Sequence, residues 1–357
     1  MRVCFLISQL QAGGAERVVS ELANYFAESD IFEVYIVSVE DKELFYNISG
    51  KVNVSNLGVK NNKNPFFNSF QRITKTYKSL KSISPEVVIS FMTSTNIETT
   101  IVSKLLNIPV IISERNNPKE NTPNIWKILR KTIYPFSSAL VCQTIKSAEF
   151  YRKWIKNIIV INNPIRNINK TTVQKDKVVL AVGSFRHQKG FDVLIDSFAK
   201  IEKKYSDEWK LIIVGEGKER NFFEKKIKAF GFEKNIMLPG KTNKIDEYYS
   251  KASIFVLSSR WEGMPNVLME AMAHGLPCIA FDCNYGPAEL IENEITGILV
   301  PPENGEKLTK MMEILMIDEG KRKFLGENAK KITQTHSLGI IAGKWEKLIK
   351  LTSKNEN

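Results

Sequence analysis

The stretch "RWEGMPNVLMEAMAHGLPCIAFD" (260–282) decides how the chain is to be read. Pro265 reads as a first-turn helix residue, and Val267, Leu268, Ala271 and Met272 recur at helical spacing. Gly275 ends the helix, and "PCIAFD" starts a strand. Two acids stand out in this apolar setting. Glu262 sits at the mouth of the helix, and Glu270, seven intervening residues later, lies within it.

Outward from that stretch, apolar runs alternate with helical patterns along the whole chain. Strands are expected at 2–8, 33–39, 86–91, 109–114, 139–144 and 158–162. A second series follows at 178–184, 210–217, 235–240, 253–259, 277–282 and 297–302. Continuous apolar strands separated by helix-length segments indicate parallel sheets covered on both faces. The series breaks at "NPIRNINKTTVQKDK" (163–177), a polar stretch that reads as a linker. The expected fold is α/β with two doubly wound domains whose ligand crevices face each other at the strands' carboxyl ends. The expected boundaries are 1–165, a linker at 166–177, 178–330, and a C-terminal helix within 331–357 that returns to the first domain. Trp345 and Leu348 are its expected packing residues.

The chain has 357 residues, 43% hydrophobic and 25% charged, which fits two globular domains rather than a disordered chain. No apolar run approaches the roughly 20 residues that span a bilayer. "MRVCFLISQL" lacks a signal-peptide cleavage site and reads as a buried strand, so a cytoplasmic protein is expected. Cys4, Cys142, Cys278 and Cys283 form no C-x-x-C pair and are expected to be buried and reduced. His187, His274 and His336 stand at no metal-ligand spacing, so no metal is expected.

The net charge of +12 fits nucleic acid, an anionic membrane surface or phosphorylated substrates. No recognised nucleic-acid module is present. Residues 60–81 hold Lys60, Lys63, Arg72, Lys75, Lys78 and Lys81 without an acid. Phe66, Phe70, Ile73, Tyr77 and Leu80 recur there at helical spacing. A core-packed helix with a solvated basic face is the simpler reading; a face for anionic lipid is the functional one.

Three strand-end loops could carry chemistry. Gly13 and Gly14 follow the first strand and lead into a helix, whose N-terminal N–H groups suit an anion. "VGSFRHQKGFDVLI" places Arg186 and Lys189 in the matching loop of the second domain, a candidate diphosphate clamp. "IVGEGKER" adds Gly215 and Gly217. Glu262 and Glu270 would be repelled by a diphosphate, so hydroxyls are their expected partners. Cations on a diphosphate and acids on sugars describe a nucleotide sugar.

With "GGAERV", "VGSFRHQKGFDVLI", "LIIVGEG" and "EGMPNVLMEAMAHGLPCIA", the chain resembles retaining glycosyltransferases of the GT-B fold, the family-four group, over nearly its whole length. Glu262 and Glu270 match that family's E-x7-E pattern. The resemblance implies that Glu262 holds hydroxyls of the transferred sugar and Glu270 the ribose. Gly263, Met264, Pro265, Asn266 and Val267 would lie near donor sugar and phosphate. Lys189 would bind the diphosphate, approached also by the Gly13–Gly14 loop, and Gly183, Ser184 and Gly215 would line the donor site. No D-x-D pattern occurs, which agrees with a metal-independent enzyme without cofactor. Two departures stand out. Ser184 takes the family's arginine position, with Arg186 two residues on, and no histidine precedes His187. "IISERNNP" occupies the corresponding strand end. Glu114, Arg115 and Asn116 there either face donor sugar or acceptor, or form a helix-capping loop.

The implied reaction is front-face transfer, assisted by Lys189 and Arg186 at the leaving diphosphate; double displacement with Glu262 as nucleophile is the alternative. The implied donor is a UDP-hexose or UDP-N-acetylhexosamine, and the acceptor a polyprenyl-diphosphate saccharide at the inner membrane face. A GT-B nucleotide-sugar epimerase and a degenerate scaffold of a polysaccharide assembly complex are the rival readings.

Overall fold

A strand such as "RVCFLI" can bury five consecutive residues only where helices cover both faces of its sheet. The computed structural model of the chain has two such sheets. It describes residues 1–11, 13–40, 44–59, 65–115, 117–118, 123–168, 174–201, 205 and 207–354, with side chains left aside for 65–67. The first sheet holds β1 (Arg2–Ile7), β2 (Glu33–Ser38), β3 (Asn53–Asn56), β4 (Val87–Phe91), β5 (Val110–Glu114), β6 (Ala139–Cys142) and β7 (Ile158–Val160). Its order is β3-β2-β1-β4-β5-β6-β7, and every pairing is parallel.

The second sheet holds β8 (Val178–Val182), β9 (Lys210–Val214), β10 (Ile236–Gly240), β11 (Ile254–Leu257), β12 (Cys278–Phe281) and β13 (Ile298–Val300). Its order, β10-β9-β8-β11-β12-β13, is again parallel throughout. In both sheets the order reverses beside the first strand, so the loops after β1 and β4, and after β8 and β11, flank a topological switch point.

The chain divides into residues 1–164 with 338–357, and residues 165–337. The segment expected as a linker is corrected in part. Ile165 is buried in the core of the second unit, and Arg166 makes a two-bonded ion pair with Asp246 there. Residues 169–173 lie outside the described residues. The expected end of the second domain moves from 330 to 337. The helix Leu338–Lys354 packs Ile341, Trp345 and Ile349 into the core of the first unit.

All four cysteines are buried and unpaired. Burial pushes the Cys4 thiol up to about 12. In the basic helix Pro65–Ile83, Leu80 is buried in the first unit's core, Ile73 and Tyr77 pack against that core, and Phe70 is exposed. Arg72 pairs with Glu40 at 3.1 Å, and Lys75 donates to the Leu57 and Gly58 carbonyls. Only Lys78 and Lys81 of that face are exposed among the described residues, since Lys60 and Lys63 lie outside them. No helix among the described residues is long and apolar enough to cross a membrane.

Candidate active site

The loops after β8 and β11 meet at the switch point of the second sheet. Arg260 stitches them. Its backbone N–H donates to the Gln188 carbonyl at 2.8 Å, and its guanidinium donates to the His187 carbonyl at 2.7 Å. The guanidinium also forks onto Asp192 at 2.9 and 2.7 Å. Burial works against the Asp192 charge, yet the Arg260 bonds outweigh it and hold that carboxyl below its usual range. The Ser258 hydroxyl donates to the Lys189 carbonyl, and the Gln188 amide to the Trp261 carbonyl. Gly190, between Lys189 and its helix, has φ +61°, and a Cβ there would collide with the Ser258 carbonyl. Only glycine permits that approach.

This stitching brings Lys189 and Glu262 together. Lys189 Nζ donates to Glu262 Oε1 at 2.6 Å, and the Ser259 hydroxyl donates to the same oxygen at 2.6 Å. The sequence assigned the cation to a diphosphate and the acid to hydroxyls; in the folded chain they form one pair. Glu262 is 6% exposed. Next to the pair, Pro265 is the N-cap of the helix Asn266–Ala273 rather than a residue of its first turn. Leading N–H groups of a helix lack intrahelical partners. Gly275, at φ +73°, closes the helix: its N–H reaches the Met272 carbonyl, and the Leu276 N–H reaches Ala271. Met264 is buried, whereas Gly263, Asn266 and Val267 are half-buried. The loop after β12 supports this turn, because a Cβ on Gly286 would lie 2.5 Å from the Gly263 carbonyl. Glu270 faces Tyr249 and Arg166.

Other expected residues fall elsewhere. Arg186 is exposed, and its guanidinium has no hydrogen bond or ion pair among the described residues. Gly183 and Ser184 are half-buried at the end of β8. Gly215 has φ +156°, and its Cβ position collides with the Gly183 carbonyl, so backbone contact between loops demands this glycine. Gly217 packs likewise on Phe185.

In the first unit, Gly13 is the extended N-cap of the helix Gly14–Ala27. Glu16 folds its carboxylate back over Gly13, where a Cβ would overlap it. Burial raises the Glu16 carboxyl above its usual range. The anion seat expected at Gly13 and Gly14 thus adjoins one of the chain's own acids.

Glu114 and Arg115, expected either to face donor sugar or acceptor or to form a helix-capping loop, are buried. Glu114 accepts from the Tyr134 hydroxyl and, at 3.3 Å, from Thr93; burial raises its carboxyl. Arg115 lies over the rings of Phe91 and Trp345, 4.8 and 5.9 Å from their centroids, and donates to Asn163. Burial lowers its guanidinium to about 9. Both side chains are drawn inward by partners far off in sequence. Asn116 lies outside the described residues. Sequence reasoning passed over Glu16, Arg166, Tyr249, Arg260 and Gly286. Only Glu16, third in its helix after the Gly13 cap, carries a local signal.

Residues 165–332 match the model of glycosyl transferases group 1, and residues 12–166 that of glycosyltransferase family 4. A Campylobacter jejuni protein named GalNAc-alpha-(1->4)-GalNAc-alpha-(1->3)-diNAcBac-PP-undecaprenol alpha-1,4-N-acetyl-D-galactosaminyltransferase is 30% identical over 98% of both chains. The amylovoran biosynthesis glycosyltransferase AmsD of Erwinia amylovora is 28% identical over 95% of this chain and 96% of its own. Among solved structures, Anabaena HepE in complex with UDP superposes with a TM-score of 0.81 at 17% identity, covering 98% of this chain and 100% of its own. The chain belongs to the group 1, family 4 glycosyltransferases and has their GT-B fold of two Rossmann-like domains.

Proposed function

We propose that this protein is a retaining, metal-independent glycosyltransferase. It moves a hexose or N-acetylhexosamine from a UDP-sugar to a hydroxyl of a polyprenyl-diphosphate-linked saccharide, in assembly of a bacterial O-antigen, capsule or related glycan. The observation that carries this reading is the Lys189–Glu262 pair at the switch point between β8 and β11. A cation and an acid side by side suit a ligand that joins a diphosphate to a hydroxylated ring. The undecaprenol-linked substrate in the Campylobacter relative's name supports the acceptor class, and the UDP complex of HepE supports the nucleotide.

In this reading Lys189 and the start of the helix Asn266–Ala273 stabilise the leaving diphosphate. Glu262 accepts from hydroxyls of the transferred sugar, and Glu270 from the ribose. Arg186, which is exposed, joins Lys189 when the diphosphate is bound. The acceptor hydroxyl attacks the anomeric carbon on the face from which the diphosphate departs. The carbon–oxygen bond to phosphate breaks as the new one forms, and the proton passes to a diphosphate oxygen. A lipid-linked acceptor implies peripheral association with the inner membrane face, to which Lys78 and Lys81 offer exposed charge.

A panel of nucleotide sugars, offered with a lipid-linked saccharide pool and read by released nucleotide, tests the donor. UDP-sugars are expected to turn over without added metal and in the presence of a chelator. Equal turnover of GDP- or ADP-sugars sinks the UDP assignment. Glu262→Ala is expected to lose at least about a hundredfold in kcat, and unchanged transfer by that variant removes the proposed site.

A further inference from the structure

Glu270 is an acid held from outside its own helix. It is 4% exposed. One carboxylate oxygen accepts from the Tyr249 hydroxyl at 3.0 Å, and the other lies 3.5 Å from Arg166 Nε. The Tyr249 hydroxyl also lies 3.2 Å from the Val267 carbonyl, in the first turn of the same helix. The Tyr249 ring stacks on His274, whose Nδ1 is 2.9 Å from the Glu270 carbonyl. Arg166 is itself fixed by its fork onto Asp246, one bond of which is 2.9 Å. Asp246 and Tyr249 both lie on the helix Ile245–Lys251, and Arg166 comes from the first residues of the second unit.

A glutamate side chain turns about several bonds, so an acid that must meet hydroxyls at fixed spacing gains from being locked beforehand. A carboxylate has about four acceptor positions. The Tyr249 hydroxyl bond on one oxygen and the Arg166 charge beside the other hold the Glu270 carboxylate in one orientation. A guanidinium held by one carboxylate presents its Nε in one direction, which an ammonium on a flexible stem does not.

We propose that Arg166, together with Tyr249, is a positioning residue that sets the Glu270 carboxylate for the ribose hydroxyls of the bound nucleotide. This rests on the reading above that Glu270 meets the ribose. It also accounts for an arginine built firmly into the second unit at a stretch that composition marks as linker.

The test compares binding of UDP with 2′-deoxy-UDP and 3′-deoxy-UDP by calorimetry. Wild-type protein is expected to prefer UDP by roughly tenfold or more over at least one deoxy analogue, the value of a hydrogen bond to a charged acceptor. Arg166→Gln is expected to reduce that preference to within about threefold while binding the weaker analogue as wild type does. Tyr249→Phe, which keeps the ring stack, is expected to reduce it partway, and Arg166→Lys to restore less than the full preference. Thermal melting of each variant verifies folding. If Arg166→Gln and Tyr249→Phe keep the wild-type preference while Glu270→Ala abolishes it, the positioning role is overturned and the ribose reading stands. Equal weakening of all three nucleotides by Arg166→Gln also overturns it, since that is general loosening. If Glu270→Ala keeps the preference, the ribose reading itself fails and this proposal with it.

Discussion

Glu98 illustrates how one buried acid registers pH. It lies 5% exposed on the helix Thr93–Leu106, and its nearest ion-pair partner, Arg72, is 4.0 Å away and closer to Glu40. Burial pushes the carboxyl up to about 7, with Arg72 opposing only in part. A folded-state value above the unfolded one means the native state binds more protons between the two. Stability from this group therefore falls as pH rises through that window, and the full cost is present above pH 7. Glu98→Gln should gain on wild type by about 2 kcal/mol between pH 5 and pH 8 in urea unfolding. A difference that stays flat across that range removes Glu98 as the titrating group. The Arg115 guanidinium is buried between aromatic rings, surroundings that the sequence does not show. Nothing local tells a buried, stacked arginine from one awaiting a ligand; its partners Asn163 and Trp345 come from distant segments.

At the scale of elements, most of the fold was legible because buried parallel strands announce themselves as apolar runs. β3 did not, since Asn53–Asn56 is a fully exposed edge strand with a single apolar residue. Half of the candidate site was legible too. Lys189 and Glu262 lie on the expected loops and Glu270 within the expected helix, but the contacts around them could not be read: Arg166 is 80 positions from Asp246, and Arg260 68 from Asp192. Glycines show the same division. Gly190 looks like any helix-entry glycine in sequence, and in the structure it lets two loop backbones touch. Gly190→Ala should therefore cost about 2–4 kcal/mol, from the left-handed φ together with the clash on Ser258. It should also raise the donor KM, because the displaced loop carries Lys189. Gly50→Ala, with open space around its Cβ, should stay within about 0.5 kcal/mol of wild type. Equal effects of the two substitutions in unfolding would count against the loop contact.

At the scale of the whole molecule, the chain passes between its two units twice, after Pro164 and after Ser337. The last passage returns the helix Leu338–Lys354 to the first unit, where Trp345 is fully buried and its ring lies 6.0 Å from Phe91 on β4. Stability of the first unit thus depends on residues that follow the entire second unit in sequence. A chain ending at Ser337 removes Ile341, Ala342, Trp345, Leu348 and Ile349 from one core and none from the other. Trp345→Ala alone should cost about 3–5 kcal/mol, the usual price of a large buried aromatic. Hydrogen exchange read by mass spectrometry separates the units. Faster exchange is expected in β1 and β4 of either variant, with the protection of β8, β9 and β11 unchanged. Exchange that rises equally in both sheets would mean that the units unfold as one cooperative body, and the final helix would then stabilise the molecule as a whole rather than the first sheet alone.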